Sequence, residues 1–120
     1  MANADSVISE LMNVIRDRKA NPSEKSYTNR LLDGGVDKIG EKILEESAEV
    51  IEAAHAAVDE KGRDHVAHEA ADLLYHLLVM LGHCDVELSR VEAKLAERFG
   101  ISGLEEKASR KKKADDESSQ

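Results

Sequence analysis

The chain has 120 residues and a mass of 13.2 kDa, room for a single domain. Seventeen Lys and Arg against 25 Asp and Glu leave a net charge of −8, the wrong sign for gripping a nucleic-acid backbone, and two Tyr, one Phe and no Trp give little surface for stacking bases. One cysteine, Cys84, excludes an internal disulfide and a CxxC zinc site, and no run of about 18 uncharged apolar residues is present to span a membrane.

Ala, Leu, Glu and Lys dominate and proline occurs once, at Pro22, so the fold is expected to be all-α. Met1 to Glu10 is acidic and polar where a secretory signal needs a basic start and an apolar run; with the lone thiol, this points to a reducing, cytoplasmic setting. From Ser6 to Lys19 the residues Val7, Ile8, Leu11, Met12 and Ile15 recur at spacings of three and four, behind Asp5 or Ser6 as a cap. Pro22 breaks that pattern, because it disfavours helical geometry in the residue before it. Ser26 is placed to cap a short second helix ending at Gly34-Gly35.

A third helix is expected from Val36 to about Glu60, stopped by Gly62. At 100° per residue, Val36, Ile39, Ile43, Leu44, Val50, Ile51, Ala54 and Val58 share one arc. Glu46 lies on its edge with Lys42 and Glu49 beside it, and Glu45 points nearly opposite. A fourth helix, from about Asp64, is apolar on most of its circumference through Val66, Ala70, Leu73, Leu74, Leu77, Leu78 and Leu81. Such a helix must be covered on several sides, so a bundle of four to five helices completed by homodimerisation is expected. Residues 100–104 read as a loop, 105–113 as a charged segment, and the domain is expected to span 1–113 with a polar, fraying tail over 114–120.

The greasy fourth helix carries one polar stripe: His65, Glu69, Asp72, His76 and His83 fall within about 60° of arc. Carboxylates rarely enter such a face unless paired or bound to a metal. Glu46 and Glu49 are three apart on one helix, Glu69 and Asp72 three apart on the next, so each pair presents its oxygens together. Antiparallel packing would bring the pairs face to face, where four carboxylates repel unless a hard cation such as Mg²⁺ or Mn²⁺ lies between them. Glu52 and His55 match half of a di-iron Glu-x-x-His pattern, but its second copy is missing and His55 projects toward the apolar arc. His76, one turn past Asp72, is placed either to bond a substrate or ligating carboxylate or to pack as a satisfied core histidine. Lys38, Lys42 and Arg30 lie close in sequence to the acidic cluster and are candidates to hold phosphates.

Glu45-Glu46-Ser47-Ala48-Glu49, nineteen intervening residues and Glu69-Ala70-Ala71-Asp72 resemble the EExxE and ExxD signature of the all-α nucleoside triphosphate pyrophosphohydrolases related to MazG. Ser26-Tyr27-Thr28 with Leu31, Gly35, Asp37-Lys38-Ile39, Lys42, Asp72-Leu73-Leu74-Tyr75-His76, and Ser102-Gly103 with residues 105–110 are similar to the phosphoribosyl-ATP pyrophosphohydrolase branch of that group, over about residues 7–110. The resemblance implies Mg²⁺-dependent hydrolysis of phosphoribosyl-ATP to phosphoribosyl-AMP and pyrophosphate, a step of histidine biosynthesis, by a dimer. It implies Glu46, Glu49, Glu69 and Asp72 as metal ligands and Glu45, Lys42 and His76 as residues of the reaction. Lys38 is implied for the phosphates, Tyr27 and Asn29 for the nucleotide, and a tail through Lys107 and Arg110 for folding over the site. Two alternatives stay open: a deoxynucleoside triphosphate as substrate of the same chemistry, and a non-catalytic helical adaptor whose carboxylates only solubilise it.

Overall fold

The computed structural model describes residues 6–100, and every regular element among them is an α-helix. Residues up to Asp85 and residues from Val86 onward form two units. In the first, α1 spans Val7–Ala20, α2 spans Tyr27–Ala56 and α3 spans Glu60–His83. Ser6 caps α1, its hydroxyl accepting from the Ser9 N–H at 3.2 Å, and Ser26 caps α2 by accepting from the Asn29 N–H at 3.2 Å. The second unit contains α4, Leu88–Phe99, which ends where Gly100 turns left-handed (φ 65°) and donates to the Ala96 carbonyl at 2.6 Å. Residues 101–113 and the tail 114–120, including Lys107 and Arg110, lie outside the described residues.

Helix α2 takes in both the short second helix and the third helix expected from the sequence, joined across Gly35 at φ 74°, ψ −167°. That conformation is open to glycine and costly for any side chain. Its consequence is a bend that the contacts require. In a straight helix the 19 residues from Tyr27 to Glu46 would span about 28 Å, whereas their neighbours on α3, His76 and Glu69, are seven residues or about 10 Å apart. Tyr27 bonds His76 and Glu46 meets Glu69 because the first two turns of α2 fold away from its long axis at Gly35. A methyl group on Gly35 would find empty space, so the constraint is backbone alone. Gly35→Ala is therefore expected to cost about 1–3 kcal/mol. Gly40→Ala, equally uncrowded but in regular helix, should be neutral or stabilising by up to about 1 kcal/mol. Equal melting temperatures for the two variants would contradict this reading of the bend.

Gly62 does not end the preceding helix as expected. It lies in the first turn of α3, donating its N–H to Asp59 Oδ1 at 2.8 Å, and α2 has already stopped at Ala56. The glycine is needed for the reversal itself, since a Cβ there would lie 2.8 Å from the Ala57 Cα. Pairing Glu49 with Glu69 and Thr28 with Tyr75 shows that α2 and α3 run antiparallel. Helix α1 packs on α3 at Gly82, where an added Cβ would be 2.7 Å from Ile15 Cγ2, and Met12 and Ile15 are buried. Lys19 Nζ donates to the His83 carbonyl at 2.9 Å and to Asp85 Oδ1 at 2.9 Å, satisfying the end of α3.

The core of this unit is small: Met12, Ile15, Leu31, Ile39, Ala53, Leu78 and Val79. Of the apolar arc expected on α2, Ile39 alone is buried, while Val36, Leu44, Ile51 and Val58 are exposed. Leu74 and Leu77 on α3 are exposed as well.

Candidate active site

The middle of α2 and the first half of α3 supply the acidic groups. One ligand oxygen each from Glu46, Glu49 and Glu69 lie within 4.8 Å of one another. Glu69 also groups with Asp72 and His68 within the same limit, His68 Nε2 standing 3.6 Å from Asp72 Oδ2. Glu69 thus joins both groups, and it is the buried member at 8% exposure. The i,i+3 spacing did what helical geometry requires: both members of each pair are on the facing sides of α2 and α3.

This crowding shows in the titration of the carboxyls. Burial first, then the neighbouring Glu49, and then Asp72 and Glu69, push Glu46 up to about 6 from 4.5. Glu69 is also raised, by burial and then by Glu49, against an opposing pull from His65. Glu46 Oε2 is buried and has no hydrogen-bond partner among the described residues. A buried carboxylate oxygen aimed among like charges is costly, and a divalent cation is the group that removes the cost. The donors of Glu46, Glu49, Glu69 and Asp72 are all carboxylate oxygens, the set that suits Mg²⁺ or Mn²⁺ better than softer metals. His68 is the exposed exception, not singled out in the sequence; its position four residues before Asp72 is the signal that could have found it. Glu52 and His55 are exposed and outside both groups.

The other expected site residues divide into two sets. Glu45 is exposed and pairs with Lys42, Oε2 to Nζ 3.6 Å, on the solvent side next to the cluster. Lys38 is exposed one turn earlier, and Arg30 holds its guanidinium 5.7 Å from the centre of the Tyr27 ring, a cation–π arrangement. These four side chains are accessible. Asn29 is not: it is buried, its Oδ1 accepts from the Ser23 N–H at 2.9 Å and its Nδ2 donates to the Arg18 carbonyl at 2.7 Å. Both ends of the amide tie α2 to the end of α1, and the residue is buried rather than presented to solvent. His76 is also buried with both nitrogens engaged. Its Nδ1 faces the Asp72 carbonyl at 2.8 Å, which can only accept, so Nδ1 carries a hydrogen, and Nε2 pairs with the Tyr27 hydroxyl at 3.1 Å. The packed alternative for His76 is the one its contacts match. Tyr75 and Thr28, joined hydroxyl to hydroxyl, were not singled out as a pair by any spacing in the sequence.

A mainly carboxylate cluster between two antiparallel helices is a site that could hold a hard divalent cation. The sequence model of the family described as phosphoribosyl-ATP pyrophosphohydrolase matches residues 8–99, and the chain belongs to that family. A protein of Rhodopirellula baltica named phosphoribosyl-ATP pyrophosphatase is 49% identical over 90% of this chain and 89% of its own length. Similarly named proteins of Geotalea daltonii, 43% identical over 88% of this chain and 96% of theirs, and of Paramagnetospirillum magneticum, 44% identical over 94% and 100%, are also similar.

Proposed function

We infer that the chain hydrolyses phosphoribosyl-ATP to phosphoribosyl-AMP and pyrophosphate with Mg²⁺ as its cofactor, Mn²⁺ substituting. The observation that carries the chemistry is the close grouping of Glu46, Glu49 and Glu69, in which Glu46 Oε2 is buried without a hydrogen-bond partner; the substrate is supported by relatives carrying that name over nearly the whole chain. Glu46, Glu49, Glu69 and Asp72 would hold the ion. When bound, Mg²⁺ supplies charge neutralisation at the anhydride oxygens and a more acidic water. Lys38 and Arg30 take the phosphates, and the Tyr27 ring, its hydroxyl fixed on His76, meets the nucleotide. Lys42 would hold Glu45 beside the cluster, where Glu45 would take a proton from the water as its oxygen bonds to one phosphorus of the α–β anhydride, the bridge between the α and β phosphates breaks and pyrophosphate leaves.

Phosphorus NMR of the wild type with phosphoribosyl-ATP and Mg²⁺ should show pyrophosphate and phosphoribosyl-AMP, at a kcat/KM well above that for any deoxynucleoside triphosphate. Orthophosphate, or preference for a plain deoxynucleotide, would contradict the assignment.

The reading includes a homodimer. Leu44 at 74% and Ile51 at 59% exposure, seven residues apart on α2, join Leu74 and Leu77 on α3 as apolar surface that a second copy would cover. Sedimentation at micromolar protein should give twice the chain mass; a monomer would remove the dimer from the account. No described helix is long and apolar enough to cross a membrane, and the single thiol of Cys84 suits the cytoplasm.

A further inference from the structure

Two side-chain bonds join the first turn of α2 to α3 one turn beyond the acidic groups. Thr28 Oγ1 meets the Tyr75 hydroxyl, and the Tyr27 hydroxyl pairs with His76 Nε2. The α2 side of this contact is a fixed point: Ser26 caps it, and the buried Asn29 ties it to Arg18 and Ser23. On α3 the two partners, Tyr75 and His76, are consecutive residues, about 100° apart around the helix axis. One bond would leave α3 free to roll about it, whereas two bonds at different azimuths fix both its rotation and its position along the axis. His76 Nδ1 carries the constraint back one turn to the Asp72 carbonyl. Asp72 and Glu69 project from that stretch, and their carboxylates must face Glu46 and Glu49 across the gap.

We propose that Tyr75 and Thr28 are positioning residues for the α3 carboxylates, their hydroxyl pair, together with the Tyr27–His76 bond, setting the rotation at which Glu69 and Asp72 complete the cation site. The proposal rests on the reading of that cluster as a metal site. Nothing in the carboxylate signature requires these two residues, and neither belongs to the acidic groups. Their effect is carried by helix orientation, as with outer groups that orient metal ligands.

Mn²⁺ binding, followed by the electron paramagnetic resonance signal of the free ion, tests this without turnover. Tyr75→Phe and Thr28→Val each remove one hydroxyl, and each is expected to weaken Mn²⁺ binding by about tenfold, at the lower end of the usual loss for an outer-shell partner. The double variant should be no weaker than either single one, because both delete the same bond. Thr28→Ser, which keeps the hydroxyl, should bind as the wild type does. Binding by Tyr75→Phe within about twofold of wild type, with only a lower melting temperature, would reduce the pair to packing and overturn the proposal. So would Thr28→Ser binding as poorly as Thr28→Val, since the methyl group and not the hydroxyl would then be responsible. A wild type that binds no Mn²⁺ would instead defeat the metal reading, and the positioning role with it.

Discussion

Glu69→Gln is expected to lower turnover of phosphoribosyl-ATP by about 10³-fold or more while leaving the metal-free protein at least as stable as the wild type. The first half follows from the several kcal/mol of charge stabilisation that a held cation supplies to a phosphoanhydride transition state, at about 1.4 kcal/mol per tenfold in rate. Glu69 is the residue on which both acidic groups converge, so its loss opens the cluster from both sides. The second half follows from the raised affinity of its carboxyl for a proton, caused by burial and by Glu49. A buried charge that the fold disfavours is replaced by a neutral amide of the same shape. Asp72→Asn, less buried, should reproduce the kinetic loss with a smaller change in stability. The opposed signs discriminate between readings: an adaptor with solubilising carboxylates has no turnover to lose, and a purely structural glutamate would lose stability. Steady-state rates and thermal melts in chelator, on the same two variants, decide it.

In chelator, the melting temperature should fall as pH rises from about 4.5 to above 6, and Mg²⁺ should cancel the fall. Glu46 titrates at about 6 in the folded chain against 4.5 for the unperturbed group, so across that window the native state holds a proton that the unfolded state has released. Stability decreases with pH wherever the native state binds the extra proton. Glu69, shifted the same way, adds to the slope. Asp85 is shifted the other way by its bond to Lys19, but its loss of stability occurs as pH falls below its ordinary value of 3.8, outside this window. A cation takes the place of the proton, so Mg²⁺ binds more tightly as the carboxyls ionise. At neutral pH and about 100 times its Kd it should raise the melting temperature by on the order of 10 °C. A flat profile in chelator, or no response to Mg²⁺ and Mn²⁺, would count against a preformed cluster.

Most of what positions the site was legible because it is local. Helix starts at Ser6 and Ser26 are set by one side chain capping one turn, and the two carboxylate pairs are set by helical spacing alone. Gly35 was legible as a break but not as a bend within one helix, because a stop and a kink differ only in what the following residues pack against. Gly62 misled for a related reason: a glycine forced by the close approach of Ala57 looks in sequence like a terminator. Partner choice was the least legible part. Asn29 and His76 are polar residues beside a candidate site, and only the crossing of α1, α2 and α3 commits their hydrogen bonds to Arg18, Ser23, Tyr27 and Asp72. Leu74 and Leu77 are exposed on the helix whose sequence was too apolar to cover alone, whereas Leu44 and Ile51, on the same arc as the buried Ile39, gave no local sign of their exposure.

The most direct measurement is a crystal structure grown with Mn²⁺ and collected at a wavelength where manganese scatters anomalously. A peak bounded by the carboxylates of Glu46, Glu49, Glu69 and Asp72, with Glu46 Oε2 among its contacts, is the expected result. Ordered carboxylates at those four positions with no anomalous density between them, at a Mn²⁺ concentration that supports turnover, would contradict the account.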